Sequence, residues 1–196
     1  MKNMQTIIIA MKGHPGSGKS TLANSIASSL KCPIIDKDHF RDSTKPIQEF
    51  LTNSSPSTTQ DITKLLNDLS YQAMYRVVLA QLDNGLDNIV VDSPLSRKAH
   101  LDHLMDIAYR TNAKVVVVEC RAEDEGEWRR RVAPRGGGWH KPRTWHEMEK
   151  LLEGYQGCWE YDVGDVPKVV VDTTTSGTVE DLVSIVLEFV ESKRAC

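Results

Sequence analysis

No stretch of this sequence is apolar for long enough to span a bilayer, and the N-terminal MKNMQTIIIAMKG lacks the apolar core of a secretory leader. Cysteine is scarce and scattered. Cys32, Cys120, Cys158 and Cys196 form no Cys-x-x-Cys pair, so neither a zinc site nor a disulfide scaffold is indicated. They are expected as reduced thiols, with Cys32 and Cys120 packing in apolar segments. An excess of charge is also missing. The net charge is −3 over 196 residues, which argues against a chain that mainly wraps a polyanion. The C-terminal RAC matches no prenylation or retention signal. Internal repeats and dividing linkers are absent too, so one domain over 1–196, cytoplasmic and without a membrane partner, is the expectation.

What is present is alternation. Short β-rich apolar runs occur at Ile7–Met11, Pro33–Asp36, Asn88–Asp92, Lys114–Cys120 and Lys168–Asp172. Continuous runs of this kind suit strands buried on both faces of a parallel sheet. Amphipathic patterns between them predict helices over Ser20–Leu30, Asp61–Leu82, Ser96–Arg110, Glu123–Val132, Thr144–Tyr155 and Thr178–Ser192. Thr144 with Glu147, and Thr178 ahead of Glu180 and Asp181, supply N-terminal caps. Strands alternating with helices point to a wound α/β fold. Two tracts interrupt the rhythm. STKPIQEFLTNSSPSTT, 43–59, is polar and predicts a binding insertion; PRGGGWHKPR, 134–143, predicts a short lid.

The first strand runs into GHPGSGKS, Gly13–Ser20, which fits G-x-x-x-x-G-K-[ST]. Glycines let the backbone turn several N–H groups inward, and the following helix presents its positive end at the same point. Lys19 then reaches the β- and γ-phosphates, and the Ser20 hydroxyl is placed to hold Mg²⁺. The second strand ends in IIDKDHFRD. Asp36 and Asp38, two residues apart, would point the same way across a pleat. Asp36 is assigned to the metal side and Asp38 to the acceptor hydroxyl as its base, with Arg41 clamping the acceptor. Asp92 at the end of VVD is a rival metal ligand or an acceptor contact. Arg129, Arg130, Arg131 and Arg135 lead into a stretch with His140 and Lys141, where lid arginines would neutralise a transferring phosphoryl group. A solvated face accounts for some of them. Asp172 and Thr173, ending the last run, would edge a purine base.

On GHPGSGKST (Gly13–Thr21), DKDHFR, VVDSP, VVVVEC and RRRVAPR, the chain resembles small P-loop kinases of the AAA-type ATPase-like group. Zeta toxins, chloramphenicol phosphotransferase and polynucleotide kinase domains are among its relatives, with shikimate and gluconate kinases more distant. The resemblance implies a three-layer α/β fold around a five-stranded parallel sheet in order 2-3-1-4-5. It implies ATP with Mg²⁺ and phosphoryl transfer to a hydroxyl. It also implies a nucleotide site of Gly13, His14, Pro15, Gly16, Ser17, Gly18, Lys19, Ser20 and Thr21. From the D-x-x-R spacing it implies Asp38 as base and Arg41 on the acceptor, and from R-x-x-x-R the pair Arg131 and Arg135 on the lid.

The leading expectation is therefore a kinase for a small hydroxylated metabolite. A 5′-hydroxyl polynucleotide kinase is the alternative within enzymes. The net charge and the want of an aromatic-plus-basic tract count against a nucleic-acid partner. A nucleotide-binding regulator is the alternative outside them; it lacks a guanine-reading N-K-x-D and a D-x-x-G after strand three.

Overall fold

A computed structural model describes residues 5–133 and 139–194. Five strands, β1 (Ile7–Lys12), β2 (Ile34–Asp36), β3 (Asn88–Asp92), β4 (Lys114–Arg121) and β5 (Lys168–Asp172), form one parallel sheet in the order β2-β3-β1-β4-β5. Strand alternation sorts its side chains to two cores. Ile7, Ile9, Met11, Val90, Val116 and Val118 pack under helices α1 (Lys19–Leu30) and α8 (Val179–Arg194). Ile8, Ala10, Ile89, Val91, Val115 and Val117 pack under α4 (Thr59–Asp83) and α5 (Lys98–Thr111). Both faces are covered, which is why the strand sequences are apolar without alternation. The fold is the expected three-layer P-loop architecture.

The polar tract 43–59 departs from expectation. Instead of an irregular insertion it continues from helix α2 (Lys37–Ser43) into α3 (Lys45–Ser54), a 3₁₀ turn at Pro56–Thr58 and the start of α4. Pro46 stands in the first turn of α3, where its missing N–H costs nothing. Ile47, Phe50 and Leu51 recur at helical spacing, and Lys45 and Glu49 form an i,i+4 ion pair at 3.7 Å. Elsewhere α6 (Glu125–Val132) and α7 (Trp145–Gly154) lie close to expectation. Thr144 caps α7, its Oγ1 accepting from Glu147 N at 3.2 Å while Glu147 accepts from Arg143 N at 2.6 Å. Helix α5 starts two residues late, because Leu95 takes a positive φ of 49° and Arg97 is extended.

Candidate active site

All five strands run parallel, so the sheet's C-terminal edge collects the ends of β1, β2 and β3 in one place. The loop Gly13–Gly18 leaves β1 and hands over to α1 at Lys19. Gly16 and Gly18 take φ values of 81° and 75°, the left-handed region that glycine enters without strain. A Cβ on Gly16 would meet Val132 Cγ2 at 2.9 Å, and one on Gly13 would meet Ser17 Oγ at 2.5 Å. Helix α1 has no acidic residue in its first turn, so its positive end stays free for an anion.

Lys19 donates to Asp92, which is fully buried and whose second oxygen has no partner among the described residues. Asp36 is in register with Asp92 on the neighbouring strand. Burial and the Asp92 charge push its carboxyl above the usual range. The two carboxylates therefore sit side by side at the strand ends, and Ser20 lies in the first turn of α1. No cage of three or more His, Cys, Asp or Glu exists among the described residues. Mg²⁺ does not require one, since it keeps waters and borrows phosphate oxygens. The orphaned Asp92 oxygen and the open helix end fit Mg²⁺ with a nucleotide.

The pleat expected to align Asp36 with Asp38 is not there. The chain turns helical at Lys37; Asp36 caps α2 by accepting from Asp38 N at 2.8 Å, and Asp38 lies in the first helical turn. Asp38 nevertheless lines the same cavity as the phosphate loop. Its carboxylate contacts Lys37 Nζ at 3.0 Å, His140 Nε2 at 3.1 Å and Lys141 Nζ at 2.7 Å. Burial opposes its ionisation, but the His140 hydrogen bond and the charges of Lys37 and Lys141 outweigh that and hold it well below the usual carboxylate range.

Arg41 does not reach the cavity. It is 2% exposed, donates to Thr44 Oγ1 at 2.6 Å and to Gln48, and stacks at 4.5 Å on the Trp139 ring. These contacts tie α2 to α3 and replace the expected clamp on an acceptor. None of residues 43–59 lines the cavity either.

Among the arginines, Arg129 and Arg130 pair with Glu125 and Glu127 on the exposed face of α6. Arg131 turns inward. It donates to Glu127 at 2.7 Å, to Thr173 Oγ1 at 3.0 Å and to Thr173 O at 2.9 Å, and it lines the cavity. Arg135 lies outside the described residues, as does 134–138 of the expected lid. Thr173 Oγ1 in turn donates to Ser17 O at 2.7 Å, joining the end of β5 to the phosphate loop. A side cleft of about 360 Å³ between Gly18, Thr21, Arg131, Thr173 and Leu182 opens at this junction. Asp172 stays out of it, its carboxylate accepting from Glu123 N at 3.2 Å and Thr174 N at 2.9 Å.

The sequence gives no direct sign of several residues that build the site. Trp128 Nε1 donates to Pro15 O at 2.8 Å, fastening α6 to the phosphate loop. His14 stacks on Trp159 with ring centroids 3.5 Å apart. The main cavity, about 500 Å³, continues past Asp38 to a wall of Lys64, Asn67 and Tyr71 on α4 and Arg97 and His100 at the start of α5. Lys64, Asn67 and Tyr71 share one face of α4 by their spacing, but only the packing of α4 on β2 and β3 turns that face inward.

Comparison with known proteins agrees with this architecture. A family model described as "AAA domain" (AAA_33) matches residues 8–155. Among curated proteins, no sequence matches. Solved structures with the same fold include a sugar kinase from Janibacter sp. HTCC2649, 19% identical, with a TM-score of 0.61 over 95% of each chain. A gluconokinase from Sinorhizobium meliloti 1021 is 18% identical, with a TM-score of 0.60 over 100% of this chain and 96% of its own. An APS kinase from Mycobacterium tuberculosis, in complex with AMPPNP and APS, is 13% identical, with a TM-score of 0.60 over 96% of this chain and 99% of its own. With three quarters of its length matched by that model and its phosphate loop and strand order in place, the chain belongs to the AAA_33 family of AAA domains and has the fold of small P-loop kinases.

Proposed function

We propose that the protein is an ATP- and Mg²⁺-dependent kinase that transfers the γ-phosphoryl group to a hydroxyl of a small metabolite. One observation carries this: a single cavity joins the phosphate loop to Asp38 and then continues between α4 and α5, leaving room for an acceptor next to a nucleotide. The acceptors named for the similar sugar kinase and gluconokinase are also small molecules. The acidic overall charge favours such a substrate over a polynucleotide end.

The loop N–H groups and the open end of α1 hold the phosphate chain, and Lys19 leaves Asp92 to meet the terminal phosphates. Ser20 and Asp92 would hold the metal side, because Asp36 spends an oxygen on capping α2 whereas both Asp92 oxygens are open once Lys19 moves to the phosphates. Bound Mg²⁺ supplies charge neutralisation on the phosphate oxygens. Thr173, at the side cleft, borders the nucleotide's other end. Arg131, and Arg135 with it, stabilise charge on the transferring group. Asp38 orients the acceptor hydroxyl in line and takes its proton as the hydroxyl oxygen bonds to the γ-phosphorus and the bond from that phosphorus to the departing ADP oxygen breaks. With its pKa held low it orients more than it deprotonates, which suits a loose transition state. Lys141 and His140 must yield part of Asp38 to the acceptor.

The test is acceptor-dependent ADP release. Asp38→Asn is expected to lower kcat by at least about 100-fold, the scale of a positioned acid–base group, while ATP affinity stays within about threefold. Retention of most activity by Asp38→Asn would remove Asp38 from the mechanism. Acceptor-independent turnover that survives Lys19→Met would remove the kinase assignment.

A further inference from the structure

The cavity holds more positive charge than the phosphate loop and Asp38 account for. Lys19 pairs with Asp92, Arg131 with Glu127, and Lys37 and Lys141 with Asp38. Lys64, Arg97 and Arg143 line the same cavity, and none has a side-chain partner among the described residues. They come from α4, from the residue ahead of α5 and from the residues ahead of α7, so none belongs to the phosphate-loop elements. Asp68, one turn along α4 from Lys64, is the single carboxylate on that wall, and it forms no ion pair with Lys64.

Two neutral groups line the same cavity. Tyr71 is buried and stacks on His100 with centroids 3.9 Å apart. Burial, then the charges of Arg97, Lys37 and His103, lowers His100 to about 4, so at neutral pH it adds no charge. Its Nδ1 is buried without a partner among the described residues. Cations that line one cavity repel one another, and an anion that enters it relieves that repulsion. Guanidinium and ammonium groups bind a carboxylate or phosphate well. A neutral polyol would leave those charges uncompensated.

We propose that the acceptor carries a fixed anionic group, a carboxylate or a phosphate, besides the hydroxyl that is phosphorylated, and that Lys64, Arg97 and Arg143 receive that group. The inference rests on the kinase assignment above. Its test begins with binding of a non-hydrolysable ATP analogue with Mg²⁺ to the wild-type protein; failure there overturns the kinase assignment itself. Saturating analogue then fills the phosphate loop, and calorimetry measures what still binds inorganic phosphate, and a hydroxy-acid against the polyol of the same carbon skeleton. The loaded wild-type protein is expected to bind phosphate and to favour the hydroxy-acid at least tenfold over the polyol. Lys64→Gln with Arg97→Gln should weaken both anions at least tenfold, and Asp68→Asn should strengthen them. These side chains are exposed, so the variants are expected to fold, and circular dichroism checks that. Phosphate binding that vanishes once the analogue is present, or that the double variant keeps, overturns the anionic acceptor and leaves the kinase assignment standing.

Discussion

His14 occupies a variable position of the phosphate loop, yet its ring is held among three aromatic rings. Its ring lies 3.5 Å from Trp159, 5.7 Å from Trp128 and 5.6 Å from Tyr155, centroid to centroid. Burial, then the nearby Lys12 charge, lowers its pKa to about 4. In the unfolded chain it titrates near 6.5, so between those values the unfolded state binds more protons than the folded one. Stability is then full above about pH 6.5 and falls as the pH drops toward 4, at about 1.4 kcal/mol per pH unit for one such group. His100, lowered to about 4 by burial and neighbouring cations, acts in the same direction. Thermal melts at pH 7 and pH 5 should show the loss. His14→Phe keeps the stack but not the proton, so it should flatten the dependence; an unchanged slope in that variant would show that His14 does not titrate as its surroundings require. Asp38 acts in the same direction at lower pH. Its carboxylate is held low by His140, Lys37 and Lys141 against the cost of burial, so its contribution to stability is full above the ordinary carboxylate pKa of about 4 and is lost progressively as the pH falls below that.

Helix α6 acts as a buttress for the phosphate loop. Trp128 and Val132 crowd Gly16, Trp128 Nε1 holds Pro15 O, and Arg131 reaches across to Thr173, which holds Ser17 O. Trp128→Phe keeps most of the ring but deletes the hydrogen bond. It should cost about 1 kcal/mol of stability and weaken nucleotide binding several-fold, because the loop loses its preset shape. Melts and calorimetry on the same variant check both; a stability loss with unchanged nucleotide affinity would make Trp128 a packing residue only. The legibility of the elements follows the same physics. All five strands were visible because both sheet faces are buried and force unbroken apolar runs. The loop was visible because backbone wrapping demands glycine. Tract 43–59 was not visible as helix, because α3 buries none of its residues and its polar composition resembles a loop. D-x-x-R gave a spacing but no direction: Arg41 turns toward Gln48, seven residues on, and Trp139, far along the chain. The wall of Lys64, Tyr71, Arg97 and His100 joins two helices, and no local pattern announces which faces meet.

At the scale of the whole molecule, a chain of net charge −3 keeps a strongly cationic cavity at one edge of its sheet. That asymmetry steers anions to the site and makes their binding salt-dependent. It also couples nucleotide binding to global stability. Lys19, the loop N–H groups and the end of α1 are assembled only in the folded state, so a ligand held by them stabilises it by mass action. At 100 times the dissociation constant the gain is about 2.7 kcal/mol, or roughly 5–10 °C in Tm for a domain of this size. Mg²⁺ with ATP should give that shift. Lys19→Met should lose most of it at the same nucleotide concentration, since the positive group facing the terminal phosphates is gone and Asp92 is left buried without its partner. Chelating the metal should reduce the shift in the wild-type protein, because the free oxygen of Asp92 then repels the phosphates with nothing between them. A shift of equal size in Lys19→Met, or one indifferent to chelation, would mean that the nucleotide binds away from the loop and that Asp92 is not on the metal side.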